Sequence, residues 1–504
     1  MRTSIISILL LAVVAAGAFL INGCSKMTKP ETVLLQVKDD PTVSFRIWFK
    51  VGSQNDPSGK EGLAALTAAM MTEGATANNS YEEILDKLYP MAASYGASVD
   101  KEMTIIYGRT HKDNLDAYYQ LFRDAILAPA FNEDDFRRLK SEALNYLEKT
   151  LRYSSDEELG KAGLYNMIFK DTPYGHVEAG TVEGLNAITL EDVKNFYATH
   201  FTRNSVVVGL GGGFDNALVD RVTSDMRTLP DVPYKEVPVP QPRYDGENEV
   251  LIIEKDASAT AISFGFPIDV HRGSKDFYAL WIANSWFGEH RNSSSHLYQV
   301  LREARGMNYG DYSYIEAFPN GGRRQMPPTN VARRQQLFEV WIRPVPNEMR
   351  HFAFRAAVRE LQKLVENGLT EEQFELTRKF LRKYVLHFAP TTMDRLGYAI
   401  DDVFYNIGES HLEKFRRMMD ELTLEDVNTA IRKYLHFQGL RVVFVTKDAE
   451  QLFDHLQSNA PSPIEYTSPK PEEILREDEE ISHYEIMIPP HRIHIVPVEE
   501  MFQK

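Results

Sequence analysis

The chain has 504 residues, of which 43% are hydrophobic and 25% charged, so it has enough apolar material for two or three globular domains. Its formal net charge of −16 argues against a nucleic-acid-binding surface and against attraction to anionic lipid headgroups. Cys24 is the single cysteine, which excludes an intramolecular disulfide and a cysteine-based metal site.

The chain begins with a segment typical of an export signal. A short basic start is followed by an apolar run from Ile5 to Ile21, which is short for a bilayer span of about 20 residues. The run ends in Ile21-Asn22-Gly23-Cys24, which resembles a bacterial lipobox, although Asn22 departs from the pattern. The resemblance implies a signal peptide over residues 1–23 and lipid attachment at Cys24. Because Ser25 follows, we expect an envelope lipoprotein on the periplasmic side of the outer membrane; the alternatives are an uncleaved membrane helix or a cysteine at this position by chance.

After a tether over residues 24–32, the chain repeats an order of predicted elements. Val43–Val51 alternates as a half-buried strand does, and Ala259–Phe266 opens the second half in the same way. Phe131–Phe136 and Leu369–Phe374 each introduce a long helix. The repeated order predicts a duplicated unit.

A repeated helix start is the clearest sign of this duplication. Ile188–Val193 reads Ile-Thr-Leu-Glu-Asp-Val and Leu422–Val427 reads Leu-Thr-Leu-Glu-Asp-Val. Threonine is a good N-cap, and the acidic residues then lie in the first turn, where the helix dipole favours them. Each copy precedes a predicted strand, at Ser205–Gly209 and Leu440–Val445. Gly209–Gly213 lacks the spacing of a nucleotide-binding loop and is expected to be a flexible exit from its strand.

These patterns predict an N-terminal domain over residues 33–235 and a C-terminal domain over residues 249–458. A proline-rich linker over 236–248 joins them, since prolines stiffen such segments. A proline-rich and acidic tail, 459–504, carries an acidic run and a strand-like segment around Ile493–Val496.

A segment in the first half resembles the zinc site of the M16 (insulinase-like) metallopeptidases. It consists of Val51-Gly52-Ser53, a helical stretch Gly62–Met71, and Gly74. In that family the helix carries His-x-x-Glu-His: the two histidines bind Zn²⁺, and the glutamate activates the zinc-bound water. A glutamate from a later helix completes the site.

Carried over residue by residue, the resemblance places the first histidine at Ala65, the glutamate at Ala68 and the second histidine at Ala69. The third-ligand position falls near Glu148, with Glu142 as an alternative. A catalytic zinc takes about four ligands, three of them usually from protein, so one carboxylate does not hold it. The chain is therefore expected to hold no metal and no catalytic residue of its own. The alternative interpretation of the alanines is an ordinary helix-forming core segment.

Asp171–His176 and Gly180–Leu185 also match the family, and the similarity covers residues 33–455. The resemblance implies an α+β fold of two homologous M16-type domains. Each would have an antiparallel-rich sheet with helices packed on one side. Together they would form one half of a clam-shell chamber.

The second half keeps another family feature. Ser293–Tyr309 resembles the segment in which an Arg and a Tyr seven positions later contact the substrate backbone near the zinc. Arg302 and Tyr309 have that spacing, and an Arg can donate to peptide carbonyls while a phenol donates to a developing oxyanion. Arg305 is expected on the helix surface. The alternative is that Arg302 and Tyr309 only cap and pack a helix end.

The resemblance leads to a functional hypothesis. The chain is expected to be the non-catalytic subunit of a heterodimeric M16 zinc peptidase, supplying Arg302 and Tyr309 to a partner with an intact His-x-x-Glu-His. Zinc is expected in that partner, and a peptide is the substrate. The alternative is a catalytically inactive peptide-binding or scaffold lipoprotein of the envelope; an active enzyme with an unfamiliar site is a third hypothesis.

Overall fold

The computed structural model describes residues 30–504, so Cys24 and the export segment lie outside the described residues. Eleven strands in this part form two sheets. The first sheet has the order β1-β5-β2-β4-β3 and consists of β1 (Glu31–Gln36), β2 (Thr42–Phe49), β3 (Ser94–Val99), β4 (Thr104–His111) and β5 (Val206–Gly212). The second has the order β11-β6-β10-β7-β9-β8 and consists of β6 (Glu249–Glu254), β7 (Thr260–Ile268), β8 (Asp311–Tyr314), β9 (Gln336–Val345), β10 (Arg441–Thr446) and β11 (Ile493–Pro497).

The two sheets have the same strand order once β11 is set aside. In each sheet the first strand pairs in parallel with the last strand of its domain, β1 with β5 and β6 with β10, and the next three pairings are antiparallel. The prediction of two related, antiparallel-rich α+β domains is confirmed. β1 begins at Glu31, inside the segment predicted as a tether.

Sixteen α-helices accompany these strands in residues 30–504. The N-terminal domain contributes α1 (Leu63–Thr72), α2 (Tyr81–Leu88), α3 (Leu115–Leu127), α4 (Glu133–Asn145), α5 (Asp156–Ile168), α6 (Val182–Ala187), α7 (Leu190–His200) and α8 (Asn216–Met226). The rest of the chain contributes α9 (Lys275–Gly288), α10 (Arg350–Asn367), α11 (Glu371–Tyr384), α12 (Thr392–Phe404), α13 (His411–Glu421), α14 (Leu424–Tyr434), α15 (Ala449–Ser458) and α16 (Glu472–Ser482). None of the helices in residues 30–504 combines the length and the apolar character that a membrane crossing requires.

The repeated helix starts form matching capping boxes. Thr189 Oγ1 accepts from the Asp192 amide at 3.2 Å, and the Asp192 carboxylate accepts from the Thr189 amide at 2.9 Å. Thr423 and Asp426 make the same two bonds at 3.2 and 3.1 Å. Each box satisfies two amides that the helix start leaves unpaired, so the sequence prediction is confirmed at both positions.

Each sheet also carries a helix of the other domain on its second face. α5 packs on β7 and β10, and α12 packs on β1, β2 and β5. Close approach depends on glycine, since a Cβ at Gly211 would lie 3.1 Å from the Cγ2 of Thr392 on α12. The expectation of helices on one side of each sheet is therefore incomplete. The expected flexible exit at 209–213 is wrong over most of its length, because Gly209–Gly212 lie inside β5 and are buried.

The tail contacts both domains and not only the C-terminal domain. β11 pairs in parallel with β6, aligning Ile493 with Val250. The residues that follow reach the N-terminal domain, where the Phe502 carbonyl accepts from the Val182 amide at 2.9 Å. The Met501 carbonyl also accepts from Arg152 Nε at 3.0 Å. The tail therefore ties the edge of the second sheet to the core of the first domain.

Candidate functional site

The three alanines at the expected zinc-site positions line one cavity. Ala65 and Ala69 lie one turn apart on a half-buried face of α1, and Ala68 is buried. The cavity has a volume of about 400 Å³ and lies between the two domains. It is called the alanine cavity below.

The start of α1 is held by a buried carboxylate. Asp56 accepts from the amides of Gly62 and Ala64, each at 2.7 Å. His176 Nε2 lies 3.1 Å from the same carboxylate. The Asp171–His176 motif therefore has a structural role here: its histidine fixes the group that caps the alanine-bearing helix.

The C-terminal domain covers the alanine cavity. Residues 317–333, in the loop between β8 and β9, contribute Phe318, Asn320 and Arg324 to its wall and are called the cover segment. Lys161 Nζ, on α5, donates to the Phe318 carbonyl at 2.6 Å. The Glu158 carboxylate accepts from the Asn320 amide at 3.2 Å. The cover segment is thus bound to a helix of the other domain.

A buried ion network closes the cavity beside β3. Arg333 donates to both oxygens of Asp100, at 2.6 and 2.9 Å, and to Glu178 at 3.1 Å. Lys101 also lies 3.1 Å from Glu178. Burial alone would raise the pKa of Glu178, but Lys101 and Arg333 outweigh it and hold that pKa below its ordinary value. The charges of this wall therefore neutralise one another.

The expected third ligand is not brought to the cavity. Glu148 lies half-buried on a π-helical turn, Tyr146–Leu151, whose Tyr146 and Leu151 line the wall while Glu148 does not. The alternative, Glu142, is exposed and forms an ion pair with Arg138 at 3.4 Å. Neither candidate lines the alanine cavity.

A different carboxylate lines the cavity. Glu73 is four residues beyond Ala69, and burial, followed by the nearby Glu142, raises its pKa. Helical spacing from Ala69 was the sequence signal that could have identified it. Three other carboxylates also line the cavity, but Arg333 holds Asp100 and Glu178, and backbone amides of the cover segment hold Glu158. The three methyl groups at the motif positions supply no ligand, so the wall does not fit a catalytic zinc ion. Across residues 30–504, no cluster of three or more His, Cys, Asp or Glu side chains is arranged to hold a metal.

The half-buried Arg302 and the exposed Tyr309 lie side by side, outside the alanine cavity. The Arg302 guanidinium carbon is 5.9 Å from the centre of the Tyr309 ring. Tyr309 is 77% exposed. Neither polar group makes a hydrogen bond or ion pair with another side chain in the described chain. The two residues before Tyr309 hold its backbone in place: Asn308 Nδ2 donates to the Asp311 carboxylate at 2.7 Å, and Met307 is buried.

Arg305 is buried, so the expectation that it lies on the helix surface is wrong. Its Nε donates to Asp478 and its Nη2 to Glu477, both at 2.8 Å. Lys470 Nζ donates to the neighbouring Ala304 carbonyl at 2.7 Å. The acidic tail helix α16 thus covers the turn that carries Arg302, which the local sequence around Arg305 does not reveal.

Two family models match the chain. The model described as insulinase (peptidase family M16) matches residues 32–177. The model described as the peptidase M16 inactive domain matches residues 187–381. Together they span most of both domains.

Curated relatives and solved structures agree with this match. An uncharacterized zinc protease of Mycobacterium tuberculosis is 24% identical over 407 residues, covering 78% of this chain and 86% of the relative. A non-peptidase homolog, YmxG, of Helicobacter pylori is 21% identical, covering 81% and 89%. The crystal structure of a peptidase M16 inactive domain from Pseudomonas fluorescens superposes with a TM-score of 0.73 at 23% identity, covering 82% of this chain and 95% of that one. A protease structure from Helicobacter pylori gives a TM-score of 0.70 at 18% identity, covering 83% and 98%. These structural likenesses show the fold.

Proposed function

The chain belongs to the M16 peptidase family, and we propose that it is the non-catalytic subunit of a heterodimeric M16 zinc peptidase of the cell envelope. Its partner would carry an intact His-x-x-Glu-His motif and the zinc ion. This chain would supply Arg302 and Tyr309 to a peptide bound near that zinc.

The arrangement of Arg302 and Tyr309 carries the proposal. The two side chains are neighbours, their polar groups lack partners in residues 30–504, and Tyr309 points to solvent. They lie outside the alanine cavity of their own chain. A pair of unpaired donors on an anchored segment is suited to a ligand held by a second subunit.

The chemistry of the pair fits peptide hydrolysis. A guanidinium presents several N–H donors in a fixed geometry, which suits the carbonyls of an extended peptide. A phenol hydroxyl can donate to the oxyanion that develops as water adds to the scissile carbonyl. Since Met307 is buried and Asn308 is bonded to Asp311, the backbone that carries Tyr309 is fixed before substrate arrives, which lowers the entropic cost of binding.

Reconstitution tests the division of labour. The purified chain should bind no stoichiometric zinc and hydrolyse no peptide. Mixing it with an M16 chain that carries His-x-x-Glu-His should give a stable complex with peptidase activity that neither chain has alone. Tightly bound zinc in the isolated chain, or full activity of the partner alone, would contradict the proposal.

The second candidate is peptide binding without chemistry. β3 is at the edge of the first sheet, and its residues Ala97, Ser98 and Val99 line the alanine cavity. An edge strand offers unpaired backbone groups to an extended peptide. This candidate predicts a stable complex with a protein outside the M16 family and no peptidase activity in that complex.

We propose in addition that Cys24 carries the lipid anchor and that the protein faces the periplasm from the outer membrane. The lipobox-like sequence and Ser25 support this location. The mature chain isolated from membranes should then begin at Cys24 and have a mass above that of its residues, because a lipid is attached to that cysteine. A mature chain that begins elsewhere, or one with an unmodified Cys24, would contradict the anchor.

A further inference from the structure

A groove beside the alanine cavity is lined by two arginines and is called the arginine groove below. Arg46, on β2, and Arg324, in the cover segment, both line it, and Ser98 belongs to the walls of both the groove and the cavity. Its volume of about 490 Å³ lies within the range of about 300–1,000 Å³ that small-ligand pockets occupy. Proline and aromatic side chains supply part of the remaining wall: Tyr107, Pro327, Pro328, Phe388 and Pro390. The groove therefore has room and apolar surface for an organic molecule.

Arg46 is a half-buried cation that forms no ion pair with a carboxylate in residues 30–504. Its Nε donates to the Met393 carbonyl at 3.2 Å, and its Nη1 donates to the side-chain oxygen of Asn330. Its Nη2 makes no hydrogen bond within the described chain. Burial lowers the pKa of Arg46, and the more distant charges of Asp401 and Asp394 offset this effect only in part. A negative charge supplied by a ligand would therefore stabilise the guanidinium.

Arg324 is exposed and also lacks a carboxylate partner in the described chain. Its Nε donates to the Pro319 carbonyl at 3.1 Å, whereas its two Nη groups make no hydrogen bond there. The backbone that carries it is held, because the Arg324 carbonyl oxygen lies 3.0 Å from Nε2 of His290. A ligand in the groove can therefore reach unoccupied donors on both arginines.

The carboxylates near the arginines are already engaged. Asp394 is the acidic residue of the lining, and it caps α12 by accepting from the Thr391 amide at 3.2 Å and from the Thr391 hydroxyl at 2.6 Å. Asp401 is buried and accepts from Arg272 at 3.0 Å and from the Asn330 amide at 3.1 Å. The lining therefore sets two arginines against one carboxylate that is committed to a helix cap, and His387, which also lines the groove, adds positive charge when it is protonated.

We propose that the arginine groove binds a small organic anion, whose carboxylate or phosphate group accepts hydrogen bonds from Arg46 and Arg324 while its apolar part lies against Phe388 and the prolines. A guanidinium presents paired N–H donors that match either group, and such charge-assisted hydrogen bonds are stronger than those between neutral groups. The site is formed by one chain, so it rests neither on a partner subunit nor on the proposed roles of Arg302 and Tyr309.

Titration calorimetry on the isolated full chain tests the groove. The probes are benzoate and phenyl phosphate, with benzamide as the uncharged counterpart of benzoate. The tighter of the two anions should bind at least about tenfold more tightly than benzamide, and which one it is identifies the preferred anionic group. Acetate and inorganic phosphate carry the same anionic groups without the ring and should bind more weakly than benzoate and phenyl phosphate, respectively. If the tighter anion binds no better than its counterpart without the ring, the site takes an ion alone, and the proposal of an organic ligand is wrong.

Two variants and one control locate the site. Arg324→Gln removes an exposed charge that makes no ion pair, so it should fold as the unmodified chain does and bind the tighter anion about tenfold more weakly. Arg46→Met should weaken binding at least as much, and Arg324→Gln decides the matter if Arg46→Met does not fold. Arg323→Gln is the matched control, because Arg323 is the adjacent exposed arginine and does not line the groove. Anions that bind no more tightly than benzamide, an unchanged affinity in Arg324→Gln, or an equal loss in Arg323→Gln would overturn the proposal.

Discussion

Both oxygens of Asp100 accept hydrogen bonds from Arg333, at 2.6 and 2.9 Å, across the boundary between the two domains. Asp100 follows the edge strand β3, and Arg333 ends the cover segment. The pair therefore fixes the position of the cover segment over the alanine cavity. Both side chains are about 95% buried, so the pair is sensitive to loss of either member.

Arg333→Met should lower the free energy of unfolding by about 3–5 kcal/mol, because it leaves Asp100 buried without its partner. Arg243→Met is the matched control: its guanidinium is 86% exposed and lies 3.6 Å from Asp171. The control should change stability by less than about 1 kcal/mol. Denaturant unfolding of both variants measures the difference, and equal stabilities would show that the cross-domain pair contributes nothing.

The tail should contribute to the stability of the N-terminal domain. Met501 is buried in the core of that domain, whereas Met487, also in the tail, is 73% exposed. Met501→Ala should cost about 2–5 kcal/mol, and Met487→Ala should be near neutral. Thermal melts of the two variants compare the same substitution at the two sites. Matching melting temperatures would mean that the tail does not pack as described.

Arg302 and Arg305 should differ in their effect on stability although they are three residues apart. Arg305→Ala leaves the buried Asp478 without its cationic partner, with only the Tyr466 hydroxyl still donating to it, and should cost about 3–5 kcal/mol. Arg302→Ala removes no hydrogen bond or ion pair in the described chain and should change stability by less than about 0.5 kcal/mol. If Arg302→Ala destabilises as strongly as Arg305→Ala, then Arg302 packs the helix end and the proposed substrate role is wrong.

Ionisation of Glu289 should lower the free energy of unfolding as pH rises from about 4.3 to about 7. Burial raises the pKa of Glu289 to about 7. The folded state therefore holds its proton more tightly than the unfolded chain, whose glutamates ionise near pH 4.3. The stabilisation is complete below the unfolded pKa and is lost as pH passes the folded one. Glu289→Gln should reduce the loss of melting temperature between pH 5 and 8; an unchanged slope would show that Glu289 ionises normally.

Local sequence signals predict the helices and strands, but they do not predict contacts between residues that are far apart in the chain. The capping boxes at Thr189 and Thr423 are encoded within four residues, so both helix starts could be located from the sequence. The Asp100–Arg333 pair joins residues 233 positions apart, and nothing near either residue indicates it. The burial of Arg305 depends on the tail helix α16, whose Glu477 lies 172 positions later, so the local sequence favours a surface position instead.

In the candidate site too, the residues of a local motif could be predicted from the sequence, whereas those that depend on tertiary packing could not. The alanines at 65, 68 and 69 follow from a helical motif and do line one cavity, as helical spacing requires. The third-ligand position depends on how a later helix packs, and Glu148 is not at the wall, whereas Glu73 is. The helix α5 supplies several residues of the cavity wall and packs on β7 and β10 of the other domain, and this placement is a property of tertiary packing alone.

Turnover of the reconstituted complex tests the central claim most directly. An Arg302→Ala/Tyr309→Phe double variant should assemble with the zinc-bearing partner as the unmodified chain does, yet lower kcat about 100-fold or more, the usual effect of losing an oxyanion donor. An Arg243→Ala/Tyr89→Phe variant, which makes the same two substitutions at other exposed positions, should leave kcat unchanged. A complex in which the Arg302→Ala/Tyr309→Phe chain is fully active would contradict the account.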